Sequence, residues 1–480
     1  MRNIKAKLLA AVSLAACAAG AQAADLPFRK AAPVEYVRVC DPFGAGFFYI
    51  PGTNTCLRVG GQVRGEYTIR GGAPTRVASV FAYNLAGVGY PRDLTSFRGR
   101  LFVNLDARNQ TEYGDLRTYI SLRVTQDSTP PGPFGGGKIA IAGLPAGAKA
   151  NAGFFQGLTN PYTNVDKAFI QFAGLTAGRA QSFFDFDAQS YELLTNSVAN
   201  SGQPINMLAY TFKFGGGFSA TVSAEDRNDR IIGDSAADTA QNKPTATKAA
   251  FLTYAGETIP DIVGNIRLDQ GWGSLQASGA YHQVSSIPVT LASGATVAPR
   301  SKDGFAALGG AKIMTPFIAP SDNFTIQVSY QQGGMDYVNA LNYYNGLSNI
   351  FDHNLSISTP VNDAFILPNG TIGLSKAGGV FGAYRHYWIP NVYSSLFGAY
   401  LKIDNPHAAQ LLSAGADNAR IWQIGFNTVW LPLKDFQIGA EVLYSNMRLS
   451  GAFPLATTTP FPTPADSSDV RGRFSVRRTF

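Results

Sequence analysis

The residue types that most often carry out chemistry are few in this chain, and their spacing fits no familiar catalytic or metal site. The four histidines are His282, His353, His386 and His407. None lies four residues from another or beside a cysteine, so a zinc site lacks ligands at a recognisable spacing. Residues 132–138 have the length of a phosphate-binding loop, but Ile139 stands where that loop needs Ser or Thr. No Gly-x-Ser-x-Gly elbow occurs either. The sequence therefore predicts no enzyme, no cofactor and no bound metal.

Arginines do recur at regular spacing, and they indicate the elements that hold them. They lie on one face of three alternating segments: Arg58, Arg64, Arg98, Arg100, Arg117 and Arg123. Apolar residues such as Val59, Val63 and Leu101 occupy the opposite face. An alternation with a period of two predicts β-strands that have one apolar and one charged side. Because only residues 109–113 separate the second strand from the third, these two strands form a hairpin.

The alternation continues along the chain and predicts sixteen strands. Their predicted first residues are Cys56, Ser96, Gly114, Val165, Gly178, Asn206, Phe218, Asp261, Leu275, Gly304, Phe324, Gly378, Val392, Ile421, Phe436 and Asp469. Short turns alternate with long loops between them, which is typical of outer-membrane barrels. Aromatic residues lie at strand ends on the apolar face, as an interfacial belt requires. These residues are Tyr67, Tyr210, Tyr330, Trp422, Trp430 and Tyr444.

The composition agrees with a membrane protein that crosses the bilayer without helices. Of the 480 residues, 45% are apolar and 15% are charged, which excludes a disordered or collagenous chain. Beyond the N-terminal segment no apolar run approaches the about 18 to 20 residues of a spanning helix. Membrane residence therefore requires strands. We predict an all-β fold, a 16-stranded antiparallel transmembrane β-barrel.

The N-terminal segment has the features of a secretory signal. A basic start precedes a short apolar stretch, and the small residues before Ala24 predict cleavage between Ala23 and Ala24. As an alternative, Cys17 lies in a segment similar to the lipid-attachment box of bacterial lipoproteins. The predicted organisation is a signal peptide over 1–23, an N-terminal segment over 24–55 and the barrel over 56–480.

Two cysteines remain after the predicted cleavage, Cys40 and Cys56. An even pair in an exported chain suits an oxidising compartment, so we predict a disulfide that closes a loop in the N-terminal segment. Two reduced, buried cysteines are the alternative.

The last predicted strand places Val470, Phe474 and Phe480 on one face. A terminal Phe on the lipid face is typical of outer-membrane barrels and predicts an assembly signal at Phe480. Arg478 lies on the same face. A charge costs about 2 to 4 kcal/mol at the bilayer midplane but about 0 to 1 near an interface, so we expect Arg478 at a rim of the barrel.

Several segments resemble alphaproteobacterial trimeric porins. The similarity lies in Tyr-Val-Arg-Val-Cys at 36–40, Phe-Phe-Tyr-Ile-Pro-Gly-Thr at 47–53, Cys-Leu-Arg-Val-Gly-Gly at 56–61, and the segments 112–120, 167–174 and 260–264. The resemblance implies a general-diffusion channel of the outer membrane. It also implies that the loop after the fifth strand, residues 184–204, folds into the lumen as a constriction loop.

The resemblance further implies a constriction with charges of opposite sign on its two sides. Asp185, Asp187 and Glu192 of the loop would face the six arginines of the first three strands, and the resulting transverse field would orient dipolar solutes. The long connection over 126–164 occupies the place of the loop that contacts a neighbouring subunit. Ion preference stays open, because the arginines favour anions and the loop acids favour cations.

The expected partners are a homotrimer, outer-membrane lipid, and small hydrophilic solutes and ions. The net charge of +7 is mild and there is no long basic block, so nucleic acid is not expected. Two alternative functions stay open: a substrate-specific channel, and a barrel that anchors an enzyme or adhesin at the cell surface.

Overall fold

We analysed a computed structural model of the chain. It describes residues 38–71, 95–128, 162–231 except 196 and 203, 249–339, 361–409, 418–450 and 466–480. The predicted signal segment with Ala23, Ala24 and Cys17, and most of the 126–164 connection, lie outside the described residues. Among the described residues, no helix has the length and apolar character needed to cross a bilayer.

Sixteen long strands of the described residues form one antiparallel barrel. They are β1 Cys56–Gly71, β2 Thr95–Thr111, β3 Gly114–Asp127, β4 Tyr162–Phe172, β5 Leu175–Gln181, β6 Pro204–Gly215, β7 Phe218–Glu225, β8 Asp261–Gln270, β9 Gly273–Val284, β10 Lys302–Met314, β11 Asn323–Gln332, β12 Lys376–Ile389, β13 Val392–Asp404, β14 Asn418–Leu433, β15 Phe436–Ser450 and β16 Asp466–Thr479. All sixteen predicted strands are confirmed, and each begins within three residues of its predicted start.

Each strand pairs with its neighbours in sequence, and the first strand closes the barrel against the last. Strand β1 pairs with β2 along one edge and with β16 along the other, from Gln62 opposite Thr479 to Gly71 opposite Val470. Closure matters in a membrane because an unpaired strand edge would leave backbone N–H and C=O groups without partners in lipid.

The two faces of the barrel differ as the alternation predicts. On β1, Val59, Val63 and Ile69 point outward and are 50–53% exposed, whereas Glu66 and Thr68 point inward and are buried. The apolar residues therefore face the lipid and the polar ones face the lumen.

Part of the lumen departs from this pattern, because the inward faces of β12–β15 carry apolar residues. Phe381, Phe397, Leu401, Ile421 and Leu443 are all buried there in one hydrophobic cluster. The alternation along the chain predicts strands with one apolar and one charged side. The difference has a physical reason: loops that fold into the lumen need an apolar surface on which to pack.

The two ends of the barrel differ in loop length. The short turns lie at one end, which we call the short-turn rim: 112–113, 173–174, 216–217, 271–272, 315–322, 390–391 and 434–435. The longer connections lie at the other end, the long-loop rim. In outer-membrane barrels the short turns are periplasmic and the long loops extracellular.

The N-terminal segment packs at the short-turn rim. Cys40 and Cys56 form the predicted disulfide. The two-residue strand Phe48–Tyr49 pairs with Cys56 and Leu57 on the edge of β1 that β16 leaves uncovered. Phe480 lies outside the barrel, 63% exposed. Its backbone exchanges two hydrogen bonds of 3.0 Å with Gly61, which extend the pairing of β16 by one residue.

Candidate functional site

The described residues 182–195 and 197–202, between β5 and β6, fold into the lumen and form the constriction loop. Side chains of the inner wall hold its backbone by hydrogen bonds. These side chains are Asn265, Gln276, Gln327, Gln423, Asn427 and Glu441 of β8, β9, β11, β14 and β15. The loop therefore folds into the lumen, as the resemblance implied, and its backbone is held by inward side chains of these five strands.

Glu441 makes the most concentrated of these contacts. Its buried carboxylate accepts hydrogen bonds from the backbone N–H groups of Leu193 and Leu194, at 2.7 and 2.8 Å. The side-chain amide of Asn427 donates to the same carboxylate at 2.8 Å and to the carbonyl of Tyr191 at 2.7 Å. Hydrogen bonds to an ionised acceptor are stronger than neutral ones. A buried polar group of the wall thus replaces the regular partners that a loop backbone lacks.

The path of the loop is strained. Four of its residues other than glycine have positive φ angles: Ala188, Gln189, Thr195 and Ala199, at 51°, 62°, 55° and 57°. Such conformations cost about 1 to 3 kcal/mol each and persist only where surrounding contacts hold them. The wall contacts and the packing of Tyr191, Leu194 and Val198 on the apolar cluster supply that support.

Beside these contacts, on β16 and on the neighbouring strands β1 and β2, the inner wall presents arginines, and Arg473 of β16 donates a hydrogen bond of 3.1 Å to the loop carbonyl of Leu193. Arg64 is in register with Arg100 on one side and with Arg477 on the other, so three cations lie in one row across three strands. Glu66 lies beside this row, at 3.1 Å from Arg64, 3.9 Å from Arg98 and 3.4 Å from Arg473. We call Arg64, Arg98, Arg100, Arg473 and Arg477 the arginine wall.

The other predicted arginines lie in two neighbouring groups. Arg58 and Arg117 surround the buried carboxylate of Asp106 near the short-turn rim, at 3.6 and 3.0 Å, together with Arg108 at 2.8 Å. Arg123 lies beside the arginine wall on β3 and pairs with Asp166 at 3.2 Å. The sequence thus identified inward-facing arginines on all three strands, but the tertiary structure divides them into groups with different acidic partners.

The three predicted loop acids make contacts within the loop itself. Asp185 is 7% exposed and accepts a hydrogen bond from Ser201, and Glu192 is 8% exposed and accepts one from the backbone N–H of Ser197. Asp187 is more accessible and accepts from Ser190 and from the side chain of Asn200. Their placement at the constriction stays a prediction.

The start of the constriction loop is tied to two outer loops through Arg230. This guanidinium is fully buried, at 3.1 Å from Asp336, 3.7 Å from Glu225 and 3.9 Å from Asp185. Asp336 belongs to the 3₁₀ turn Met335–Val338 in the connection after β11. Burial raises the pKa of the Asp336 carboxyl to about 6 despite the nearby arginine.

Sequence reasoning missed several of these residues. Arg473 and Arg477 alternate with the outward residues of β16, so the same period-two reading applied to the last strand would have found them. Glu441, Gln423 and Asn427 carry no such signal. Polar residues on an inward strand face are common, and only the folded loop shows which of them bind it.

Comparisons with known proteins agree with this architecture. The family model described as "Porin subfamily" matches residues 25–469. The porin Omp2b of Brucella suis biovar 1 is 32% identical over 292 residues, which cover 59% of this chain and 67% of that protein. Omp2b of Brucella canis is 31% identical over the same length and coverage.

A solved structure shares the fold. The outer membrane channel DcaP of Acinetobacter baumannii superposes with a TM-score of 0.59 at 14% identity, over 90% of this chain and 99% of that one. The family match, the relatives and the closed barrel with its inward loop lead to one conclusion. The chain belongs to the porin subfamily and is an outer-membrane diffusion channel.

Proposed function

We propose that the channel passes small hydrophilic solutes and prefers anions, with the arginine wall and Arg123 as the charged side of its constriction. The observation that carries the proposal is the register row of Arg64, Arg100 and Arg477. Like charges directly opposite each other on neighbouring strands destabilise a sheet. A row of three arginines that faces the lumen therefore lowers the stability of the barrel. A role in conduction would explain why the row is present.

The charge balance of this wall supports the same preference. Six guanidiniums, those of the arginine wall and Arg123, face the lumen together with three carboxylates, Glu66, Asp166 and Glu441, the last in register with Arg473. Arginine keeps its charge at any relevant pH. A lumen lined by one sign of charge concentrates counter-ions of the other sign. We infer that Asp187 of the constriction loop lies on the opposite, acidic side of the pore, as the resemblance implied.

A salt gradient across a planar bilayer tests the preference. With tenfold more KCl on one side, the sign of the reversal potential reports which ion permeates faster. An anion-preferring channel gives the sign set by chloride at every salt concentration used, with a smaller value at high salt because charges are screened. A potential of the potassium sign would contradict the proposal.

One observation favours a substrate-specific channel as a second candidate function. Tyr119 and Phe169 stack in the lumen with ring centroids 5.3 Å apart, and the Arg117 guanidinium lies 5.0 Å from the first ring and 5.4 Å from the second. A flat ring beside a cation suits a solute that combines an apolar face with a carboxylate. Saturable block of the chloride current by such a solute would support this function, and current that stays proportional to salt would exclude it.

We also propose that the channel is a homotrimer that uses the outer face of β3–β5. Between the rims, most described outward residues of these strands are small or aliphatic, for example Thr118, Ala168, Ile170 and Ala177, while the outward Arg179 is ion-paired with Asp229 at 2.8 Å. The outer faces of β13–β15, by contrast, carry aromatic rings such as Trp422 and Trp430. A face without projecting rings allows close approach of another subunit.

A further inference from the structure

The outer surface of the barrel carries a second row of cations, which points away from the lumen. Lys402 of β13 is in register with Arg420 of β14, and Arg420 is in register with Arg448 of β15. All three share the outward face with lipid-facing residues of the same strands, such as Tyr400 and Trp422, and all three are exposed. We call Lys402, Arg420 and Arg448 the outer cation row.

One of the three cations is ion-paired among the side chains that the structure describes. Lys402 pairs with the exposed Asp404 at 2.7 Å. Arg420 and Arg448 have no ion pair or hydrogen bond to a side chain in the part of the chain that the structure describes. In backbone register, Arg448 lies between Arg420 and Asp466 of β16. Directly opposed like charges destabilise a sheet, so the row gains from an external anion.

The height of the row on the barrel identifies the region that it contacts. Tyr400, Trp422 and Tyr444 form an aromatic belt on the same three strands, and the rings of Trp422 and Tyr444 lie 4.9 Å apart. Lys402 and Arg420 each lie two residues beyond this belt toward the long-loop rim, about 7 Å at the usual rise of a strand. Because aromatic belts lie at the level of the lipid headgroups, the cations lie at or just beyond the headgroups of the outer leaflet.

We propose that the outer cation row binds the phosphates of a lipid headgroup in the outer leaflet, and that this lipid is lipid A. Three cations on adjacent strands, about 5 Å apart between neighbouring strands, match a headgroup that bears more than one phosphate. Arginine is well suited to this because its planar fork binds phosphate through two hydrogen bonds. The aromatic belt below the row would contact the acyl chains of the same lipid. This inference depends on outer-membrane residence and is independent of the anion preference of the lumen.

Native mass spectrometry of the full channel in detergent, titrated with bisphosphorylated lipid A, tests the proposal. The triple variant Lys402→Gln, Arg420→Gln, Arg448→Gln should lose about fivefold in affinity for each cation removed, which corresponds to about 1 kcal/mol per Lys or Arg near an anionic membrane surface. Dephosphorylated lipid A should bind the wild type and the variant equally.

Arg478→Gln is the matched control, since Arg478 is also an exposed, outward-facing arginine, but at the short-turn rim. This variant should bind lipid A like the wild type. Equal affinity of the triple variant and the wild type would overturn the proposal, as would an equal loss in Arg478→Gln. Displacement of lipid A by equimolar inorganic phosphate would also overturn it, because the site would then recognise free phosphate. The conductance and reversal potential of the triple variant should match the wild type, which separates this result from a failure of the lumen proposal.

Discussion

At the scale of single residues, the lumen carries charges placed where they reduce stability. Arg64, Arg100 and Arg477 lie in one register row, and Glu66 contacts one member of that row together with Arg98 and Arg473. A soluble β-protein avoids such a row, because each cation raises the energy of its neighbour and the folded state gains nothing in return. In a water-filled lumen the same row attracts mobile counter-ions.

Neutralising part of the arginine wall should therefore reduce the preference for anions. We expect the double variant Arg98→Gln, Arg100→Gln to move the reversal potential in a tenfold KCl gradient toward zero or past it. Conductance for the anion should fall by about twofold or more, since fewer counter-ions enter the constriction. Single-channel recording in planar bilayers measures both quantities.

Arg267→Gln serves as the control for this prediction. Arg267 also carries a charge on the lumen side, but it lies on β8 and pairs with Asp269 at 2.9 Å near the short-turn rim. Its removal should change the reversal potential less than loss of either wall arginine. An equal change would mean that net charge, and not position in the constriction, sets the preference.

At the scale of elements, the constriction loop is held by the wall more than by its own geometry. The carboxylate of Glu441 is the acceptor for two consecutive loop N–H groups. In Glu441→Ala both donors lose this partner, at about 1 to 3 kcal/mol for each donor that stays buried and unpaired. We expect the loop to leave the wall in this variant. Single-channel records should then show larger conductance or frequent steps between levels.

Ser223→Ala is a matched control on the inner wall. Ser223 is also buried and faces inward, but its hydroxyl has no hydrogen-bond partner among the described residues. The conductance of the Ser223→Ala variant should equal that of the wild type. If Glu441→Ala also keeps the wild-type conductance and noise, the wall contact does not position the loop.

A second element, the turn Met335–Val338, should be sensitive to pH through Asp336. Its carboxyl has a pKa of about 6 in the folded protein because burial favours the neutral acid, against an ordinary value of 3.8. The folded state therefore binds this proton more tightly than the unfolded chain does. The contribution of Asp336 to stability is present below about pH 4 and is lost as the pH rises through about 6.

Asp336→Asn tests the direction of this pH dependence, because the amide resembles the neutral acid and does not titrate. The melting temperature of the wild type relative to the variant should decrease between about pH 4 and pH 7. Loss of the folded band on gels after incubation at increasing temperature provides the measurement. A difference that is the same at both pH values would show that the proton on Asp336 is not linked to folding.

At the scale of the whole molecule, the lumen is divided into two unlike halves. The inward faces of β12–β15 carry the apolar cluster together with polar side chains that bind the constriction loop, whereas β1, β2 and β16 present the arginine wall. A barrel of sixteen strands encloses more space than side chains alone fill. The inward loop occupies part of that space, and the charged half borders the rest.

The oligomeric state of the channel can be tested by gel electrophoresis. An unheated sample should migrate on a gel well above the position of the boiled chain if the channel is a trimer. Ala168→Trp, which adds a ring to the proposed contact face on β4, should convert the unheated species to a folded monomer. Ala440→Trp adds the same ring to the outer face of β15 and should leave the trimer intact. If the trimer dissociates in both variants, or in neither, the proposal that subunits contact each other through the outer face of β3–β5 is wrong.

The disulfide between Cys40 and Cys56 was predicted from an even cysteine pair and is confirmed by the structure. The sequence alone determined the number of strands, their order and the face that each turns to lipid. These features follow from local rules, since a period of two and the length of each connection are written along the chain. Six inward arginines were identified for the same reason. Arg473 and Arg477 were missed although their strand was correctly predicted, because the sequence analysis considered only its outward face.

Only the tertiary structure decided which side chains meet across the lumen. The binding of loop residues Leu193 and Leu194 to Glu441, some 250 positions later, joins segments that no periodicity connects. The apolar cluster on the inner face of β12–β15 and the burial of Arg230 depend on the same long-range packing. The physical reason is that strand alternation sets the direction of a side chain but not its neighbour. The neighbour depends on how the barrel closes and where the loops enter it.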